Sequence, residues 1–307
     1  MREFDIIVPV EAGGRRLDLF LYEYFLREAP GLSRTAIQKM ILEKKVPLLD
    51  GLCPKPHYKV KSGDRFRAVI VDKKSGAPVA EDILLDVVYE DDDLAVINKP
   101  AGLVVHPAPG NYEHTLVNAL LHRFGTLSDI NPQRPGIVHR LDKETSGLLV
   151  VAKNNFSHLE LAAQFAKHSI ERTYLAVVKG KMEFDQSVIE MPIGRHPRKR
   201  KNMSVGFGDK TKYAKTFYRT LKRRADCSLV ELKPFTGRTH QLRVHLAFIG
   251  HPIMGDAKYG GPPASRMCLH ALSIGFIHPR TKKIMRFSSP RGTFPEVPPF
   301  AVVTDCK

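Results

Sequence analysis

Apolar residues recur at helical spacing near the start of the chain. Leu17, Phe20, Leu21, Tyr24 and Phe25 fall at i, i+3, i+4, i+7 and i+8, which makes one face of a helix apolar. Pro30-Gly31 ends that helix, and Ser33 suits the N-cap of a second one. On the second helix Ile37, Met40 and Ile41 turn inward, while Arg34, Gln38 and Lys45 lie toward solvent. Two short strands follow at residues 46–49 and 65–71, with the turn formers Ser62-Gly63-Asp64 between them. Residues 1–72 therefore read as a small domain. Residues 73–82 mix Gly, Pro and charge without periodicity and read as a linker.

The remaining residues, 83–307, form one larger domain. Strand-like apolar runs lie at 84–89, 94–98, 147–152, 173–178, 216–221 and 228–232. Helix-like stretches lie at 115–123, 157–167 and 240–249, the last followed by Gly250, a fitting C′ residue. Many strands with few helices between them predict an α+β fold, a mixed and largely antiparallel sheet with flanking helices.

Charge adds a partner to this picture. The 307 residues carry 48 Lys+Arg against 32 Asp+Glu, a net +16, which suggests a polyanion. Residues 195–224 alone hold twelve basic residues and a single acid, Asp209. An excess this concentrated repels itself without a counter-charge. Arg198, Lys199, Arg200 and Lys201 sit at its centre and are candidate phosphate contacts. No apolar run approaches the roughly 18–20 residues that span a bilayer. The N-terminal apolar stretch contains acids, unlike a signal peptide. Cys53, Cys227, Cys268 and Cys306 form no CxxC pair and read as free thiols of a cytoplasmic protein.

The densest chemistry lies in HRLDKETSG, residues 139–147. Asp142 stands between His139 and Arg140 on one side and Lys143 on the other, and Leu148–Ala152 follow as a buried strand. Cationic neighbours favour an ionised carboxylate, which can act as a nucleophile. Tyr174, in IERTYLAVVKG, offers an aromatic face to a base taken out of its stack, although an aromatic in a strand also serves as core. Thr236-Gly237-Arg238 sits where a strand gives way to a helix, and Arg238 is placed to pair with Asp142 in a bidentate contact. Lys99-Pro100 closes a strand before a Gly/Pro-rich loop with an architectural role, and Asn98 and His106 are weaker candidates there. His240 and His245 are five apart, off the i, i+4 spacing of zinc ligands, and read as structural. There is no P-loop and no GxGxxG, so neither a metal nor a cofactor is expected.

NKPAGLVVHP, HRLDKETSG, Tyr174 with its flanking residues and TGRTHQLRVH resemble, in this order along the chain, the segments of the RluA-type pseudouridine synthases. RLDLFL, LSRTAIQKMI and KSGDRF resemble the αL RNA-binding module that precedes the catalytic domain in members acting on large-subunit ribosomal RNA. One departure is Val46-Pro47-Leu48-Leu49-Asp50-Gly51, where Asp stands for the usual Asn of the turn. The resemblance implies isomerisation of uridine without metal or cofactor; a monomer is expected because nothing in the sequence suggests a self-complementary apolar surface. It implies that Asp142 attacks C1′ or the uracil ring, that Tyr174 stacks on the target base, and that Arg238 pairs with Asp142. It further implies that Leu242 lines the base pocket, that Arg140 replaces the flipped base in the RNA stack, and that Arg34 and Lys39 meet the RNA backbone. Two other readings compete: a non-catalytic RNA-binding protein of ribosome assembly, and a metal-dependent nuclease. The nuclease wants clustered carboxylates. The one acidic cluster, Asp91-Asp92-Asp93, reads as a hairpin turn.

Overall fold

The computed structural model describes residues 2–28, 34–70, 78–108, 110–199 and 202–290. The chain divides into two compact units, Met1–Gly76 and Ala77–Lys307.

In the first unit, β1 (Arg2–Ile7), α1 (Leu17–Glu28), α2 (Arg34–Leu42) and β2 (Arg65–Ile70) follow one another, and β1 pairs antiparallel with β2. The α1 stripe is buried as its spacing predicts: Leu17, Phe20, Leu21 and Phe25 pack with Ile37, Ile41 and Phe66. Pro30-Gly31 and Ser33 lie outside the described residues. Two expectations are corrected. Residues 46–49 form no strand, only a bridge from Leu48 to Phe66, because Pro47 lacks the N–H a ladder needs and Leu48–Gly51 turn away. Arg34 and Gln38 do not simply face solvent. Both donate to Asp18 Oδ2, at 2.9 and 2.6 Å, and Arg16 Nε donates to Oδ1 at 3.0 Å. Asp18 is completely buried, and a buried carboxylate requires such partners.

The second unit begins with β3 (Val87–Glu90), β4 (Leu94–Lys99), α3 (Leu116–Phe124), β5 (Ser146–Ala152) and α4 (Asn155–Ala166). It continues through β6 (Glu171–Lys179), β7 (Gln186–Glu190), β8 (Ile193–Arg195), β9 (Met203–Val205), β10 (Lys215–Arg223) and β11 (Cys227–Pro234). α5 (Gln241–Phe248), β12 (Leu269–Ile277) and β13 (Ile284–Ser288) close the described part. The main sheet has the order β3-β4-β5-β12-β6-β11-β10-β7, with β13 beside β12. β5 with β12 is its one parallel pair among the described strands, so the sheet is mixed and largely antiparallel.

β4 and β5 are buried at every position because both faces of the sheet are covered. Ala95, Ile97, Leu149 and Val151 pack with Leu116 and Leu120 of α3. Leu94, Val96, Leu148 and Val150 pack with Leu161 and Phe165 of α4. Each such side chain contributes roughly 1.5–3 kcal/mol by burial. β12 escapes the sequence reading because it mixes His270 and Ser273 with apolar residues and has no clean period. Residues 78–82, expected as linker, bind α3: Glu81 N–H donates to Asn118 O at 3.0 Å, and Asn118 Nδ2 donates to Val79 O at 2.7 Å. Asp91-Asp92-Asp93 joins β3 to β4 as a hairpin turn, with Asp91 Oδ1 accepting from Asp93 N and Leu94 N at 2.8 Å. No helix among the described residues is long and apolar enough to cross a membrane.

Candidate active site

Residues 139–147 are held by contacts from four elements. His139 Nε2 accepts the Val150 N–H at 3.0 Å, and its ring stacks on Phe165 of α4 at 4.5 Å. Burial, with Arg172 nearby, pushes His139 down to about 3, so it is a neutral structural group and not a member of a cationic cluster. Leu141 is buried. Asp142 O accepts the Thr145 N–H at 3.1 Å and closes a tight turn. Ser146 Oγ meets Arg266 Nη1 and His270 Nδ1, both at 2.8 Å. Gly147 has φ +109°, and a Cβ there would stand 2.2 Å from Ala271 O on β12. Only glycine lets β5 and β12 run this close.

Lys99, at the end of β4, fastens the loop from below. Its side chain is fully buried, and Nζ donates to Pro100 O, Leu103 O and Lys143 O at 2.7, 2.9 and 3.1 Å. Burial pushes its pKa down to about 7, whereas three carbonyl acceptors match the three N–H groups of an ammonium and favour the charged form. The architectural role read for Lys99-Pro100 thus has a mechanism: one cation ties two loops together.

Asp142 faces a cavity of about 110 Å³ lined also by Arg140, Arg172, Tyr174, Arg238, His240, Leu242 and Arg243. A water needs about 10–15 Å³ on that scale, so the space suits one small ring. Tyr174 comes from β6, and Leu242 from the first turn of α5; both are buried except toward the cavity. Burial raises the Tyr174 phenol, which is therefore protonated at neutral pH. Arg140 is exposed at the cavity edge and has no partner among the described residues.

The expected Arg238–Asp142 pair does not form. Arg238 lines the cavity, but its Nε donates to Tyr213 O at 2.9 Å. The pair is made by Arg243, whose Nη1 lies 3.1 Å from Asp142 Oδ2. Arg243 is itself clamped: Nε and Nη2 donate to Asp256 at 2.7 and 2.8 Å, and its guanidinium carbon lies 5.0 Å from the centre of the Tyr259 ring. Two carboxylates hold its pKa above the ordinary arginine value, so it is a fixed cation. The reason for the exchange is position. Residue 238 lies in the loop before α5, where Arg238 N is already bonded to Gln241 Oε1, while residue 243 lies inside the helix and points inward.

Of the other residues singled out, Arg198 and Lys199 are exposed beyond β8 and do not line the cavity. Arg200 and Lys201 lie outside the described residues. Arg34 and Lys39 belong to the first unit, where Arg34 pairs with Asp18 and Lys39 with Glu43 at 3.5 Å. His245 is bonded to Thr216 Oγ1 and Met191 O, at 2.9 and 3.0 Å, as a structural residue. His240, read the same way, also faces the site, with Nε2 3.8 Å from Asp142 Oδ2. Burial pushes it down to about 4, so it stands there neutral. The sequence reading missed Arg243 and Asp256. A usable signal was present: an arginine within the apolar α5 run needs a buried carboxylate, and Asp256 follows thirteen residues later.

The sequence profile of the RNA pseudouridylate synthase family matches residues 93–248, a span that holds Asp142, Tyr174, Leu242 and Arg243. The chain is similar to the uncharacterized RNA pseudouridine synthase YlyB of Bacillus subtilis (strain 168), 41% identical over 294 residues, covering 94% of this chain and 95% of the relative. It is similar to ribosomal large subunit pseudouridine synthase D of Zymomonas mobilis, 43% identical over 298 residues and covering 92% of each. Among solved structures, human RNA pseudouridylate synthase domain containing 1 is 28% identical, with a TM-score of 0.58 over 69% of this chain and 85% of that one. Likeness along nearly the whole length shows that the chain belongs to the RNA pseudouridylate synthase family.

Proposed function

We propose that this RNA pseudouridine synthase acts on large-subunit ribosomal RNA, with Asp142 as its nucleophile. Three observations support the reading. The curated relatives named for the large ribosomal subunit share 43% and 42% identity over more than nine-tenths and nine-tenths of this chain. The cavity, about 110 Å³, has room for one small ring. Asp142 lies at its wall, held by Arg243 and open on Oδ1, which accepts no hydrogen bond among the described residues.

In the reaction the bond from C1′ to N1 of uracil breaks, the base turns, and C5 bonds to C1′. The C5 proton leaves and N1 takes up a proton, so nothing is oxidised and nothing is lost from the RNA. Asp142 supplies the electron pair that opens the sequence. Tyr174 and Leu242 hold the loosened ring against escape, and the protonated phenol of Tyr174 is positioned to exchange protons with it. Arg140 at the cavity edge fills the gap left in the RNA stack. His240 and Arg238 complete the polar wall.

The first unit serves as an RNA grip, through the half-exposed Arg34 guanidinium and the exposed Lys39, and residues 198–201 hold phosphates on the second unit. The enzyme works as a monomer in the cytoplasm, where ribosomal RNA is its substrate; light scattering checks the first point. The single observation that carries the function is the Arg243-held carboxylate at a one-ring cavity. Tritium release from RNA labelled at uracil C5 tests it. Wild type releases tritium with chelator present, and Asp142→Asn does not while still binding RNA. Bound RNA without release by wild type, on free RNA and on immature large subunits, would overturn it in favour of a non-catalytic assembly protein.

A further inference from the structure

The cavity holds a fourth arginine whose use is unassigned. Arg172 is on β6 two residues before Tyr174, so the two side chains leave the same face of the strand, about 7 Å apart along it. Its guanidinium carbon lies 5.8 Å from the centre of the Phe165 ring, and Phe165 stacks in turn on His139. Nη2 donates to Pro234 O at 3.2 Å. These contacts fix the side chain against the cavity wall. Nε is buried and donates to nothing among the described residues.

The other cavity arginines are accounted for. Arg243 has two carboxylates, Arg238 is bonded to Tyr213 O, and Arg140 stands in solvent at the edge. Arg172 has no carboxylate partner among the described residues, and its neighbour His139 is neutral. A fixed, partly desolvated guanidinium favours an anion over a carbonyl, and its Nη1 borders the gap over Gly237. Gly237 keeps the opening clear, since a Cβ there would come within 3.3 Å of Arg172 Nη1.

We propose that Arg172 and the gap over Gly237 form a phosphodiester subsite, which holds a phosphate flanking the flipped uridine while Tyr174 faces its ring. The inference rests on the function proposed above. It makes Arg172 a binding residue that sets the depth of the nucleotide, one sugar away from the base.

The test uses the full-length enzyme and an RNA on which wild type releases tritium; absence of wild-type release speaks against the function and not against this subsite. Arg172→Gln is expected to raise KM about tenfold, the loss of one charge-assisted contact, and to lower kcat less. The slope of log kcat/KM against log salt should fall by about one. Arg172→Lys, which keeps the charge, should restore the slope and most of the KM. A merely structural Arg172 would lower the melting temperature and leave the slope alone. A second measurement leaves the protein intact: a neutral methylphosphonate placed 5′ or 3′ of the target uridine. One of the two should weaken wild type as much as Arg172→Gln does, and should cost that variant nothing further. An unchanged salt slope, or losses that add at both phosphates, would overturn the proposal.

Discussion

Arg243 Nη1 lies 3.1 Å from Asp142 Oδ2, although 101 residues separate them in the chain. The same guanidinium spends its other edge on Asp256, at 2.7 and 2.8 Å, and is only 7% exposed. The carboxylate at the cavity is thus held by a group that is itself fixed before any RNA arrives, which is how a site avoids reorganising during reaction.

Arg243 and Arg238 should therefore separate in mutagenesis. Arg243→Ala leaves two carboxylates without their cation and should cost about 3–5 kcal/mol of stability, with tritium release abolished. Arg243→Lys cannot serve both acids through a fork, and release should fall at least about a hundredfold. Arg238→Ala loses one bond to a main-chain carbonyl, about 1 kcal/mol. Its release should fall far less. Urea unfolding and the tritium assay on the three variants decide the matter, and equal losses for Arg238→Ala and Arg243→Lys would contradict it.

Lys99→Met removes the donor for three carbonyls in the two loops under Asp142. Unsatisfied acceptors of this kind predict a loss of about 2–4 kcal/mol and a weakened site. The pH dependence carries a second signature. The native pKa of Lys99, about 7, lies below its ordinary 10.5, so the unfolded chain binds more protons between these values. The contribution of this group to stability is complete above 10.5 and is lost as pH falls through about 7. Wild-type stability relative to Lys99→Met should accordingly rise as pH climbs from about 7 toward 10.5, as denaturant titrations at several pH values will read out.

Gly147→Ala should be among the most damaging single-methyl additions. The new Cβ meets Ala271 O at 2.2 Å, and φ +109° is foreign to alanine. Separating β5 from β12 would move Asp142 relative to Tyr174 as well. Loss of more than about 3 kcal/mol, or failure to fold, is expected from strain and lost pairing together; a melting curve near wild type would show that the strands can part at little cost.

Histidine titration should not shape the activity near neutral pH. His106, His240 and His270 are pushed down to about 4, and His139 to about 3, in each case chiefly by burial. Each native value lies below 6.5, so the unfolded chain takes up these protons first as pH falls. Their contribution to stability is complete above 6.5 and is lost as pH drops through about 4. Urea midpoints should decline from about pH 7.5 to about pH 5 while kcat/KM shows no inflection near 6.5. An inflection that disappears in His240→Gln would mean that His240 carries charge in the working site.

Much of this architecture was legible in the chain because it depends on local period. The α1 stripe and the apolar runs of β4 and β5 specify helix and strand through spacing alone, and a run apolar at every position already implies a strand covered on both faces. Asp142 stood out by residue type and neighbours, Tyr174 and Leu242 through the family resemblance of their segments, and the folded chain brings all three to one cavity. What spacing cannot encode is which distant partner a side chain meets. Arg238 and Arg243 are equally basic in sequence; the start of α5 and its rotation decide that one bonds Tyr213 O while the other reaches Asp142 and Asp256. Arg34 and Gln38 turn to Asp18 because a buried carboxylate collects donors from wherever the backbone offers them. Lys99 becomes a loop clasp only when β4 ends beside the turn after Asp142. Periodicity reports the face a residue occupies, and only tertiary closure determines what lies opposite that face.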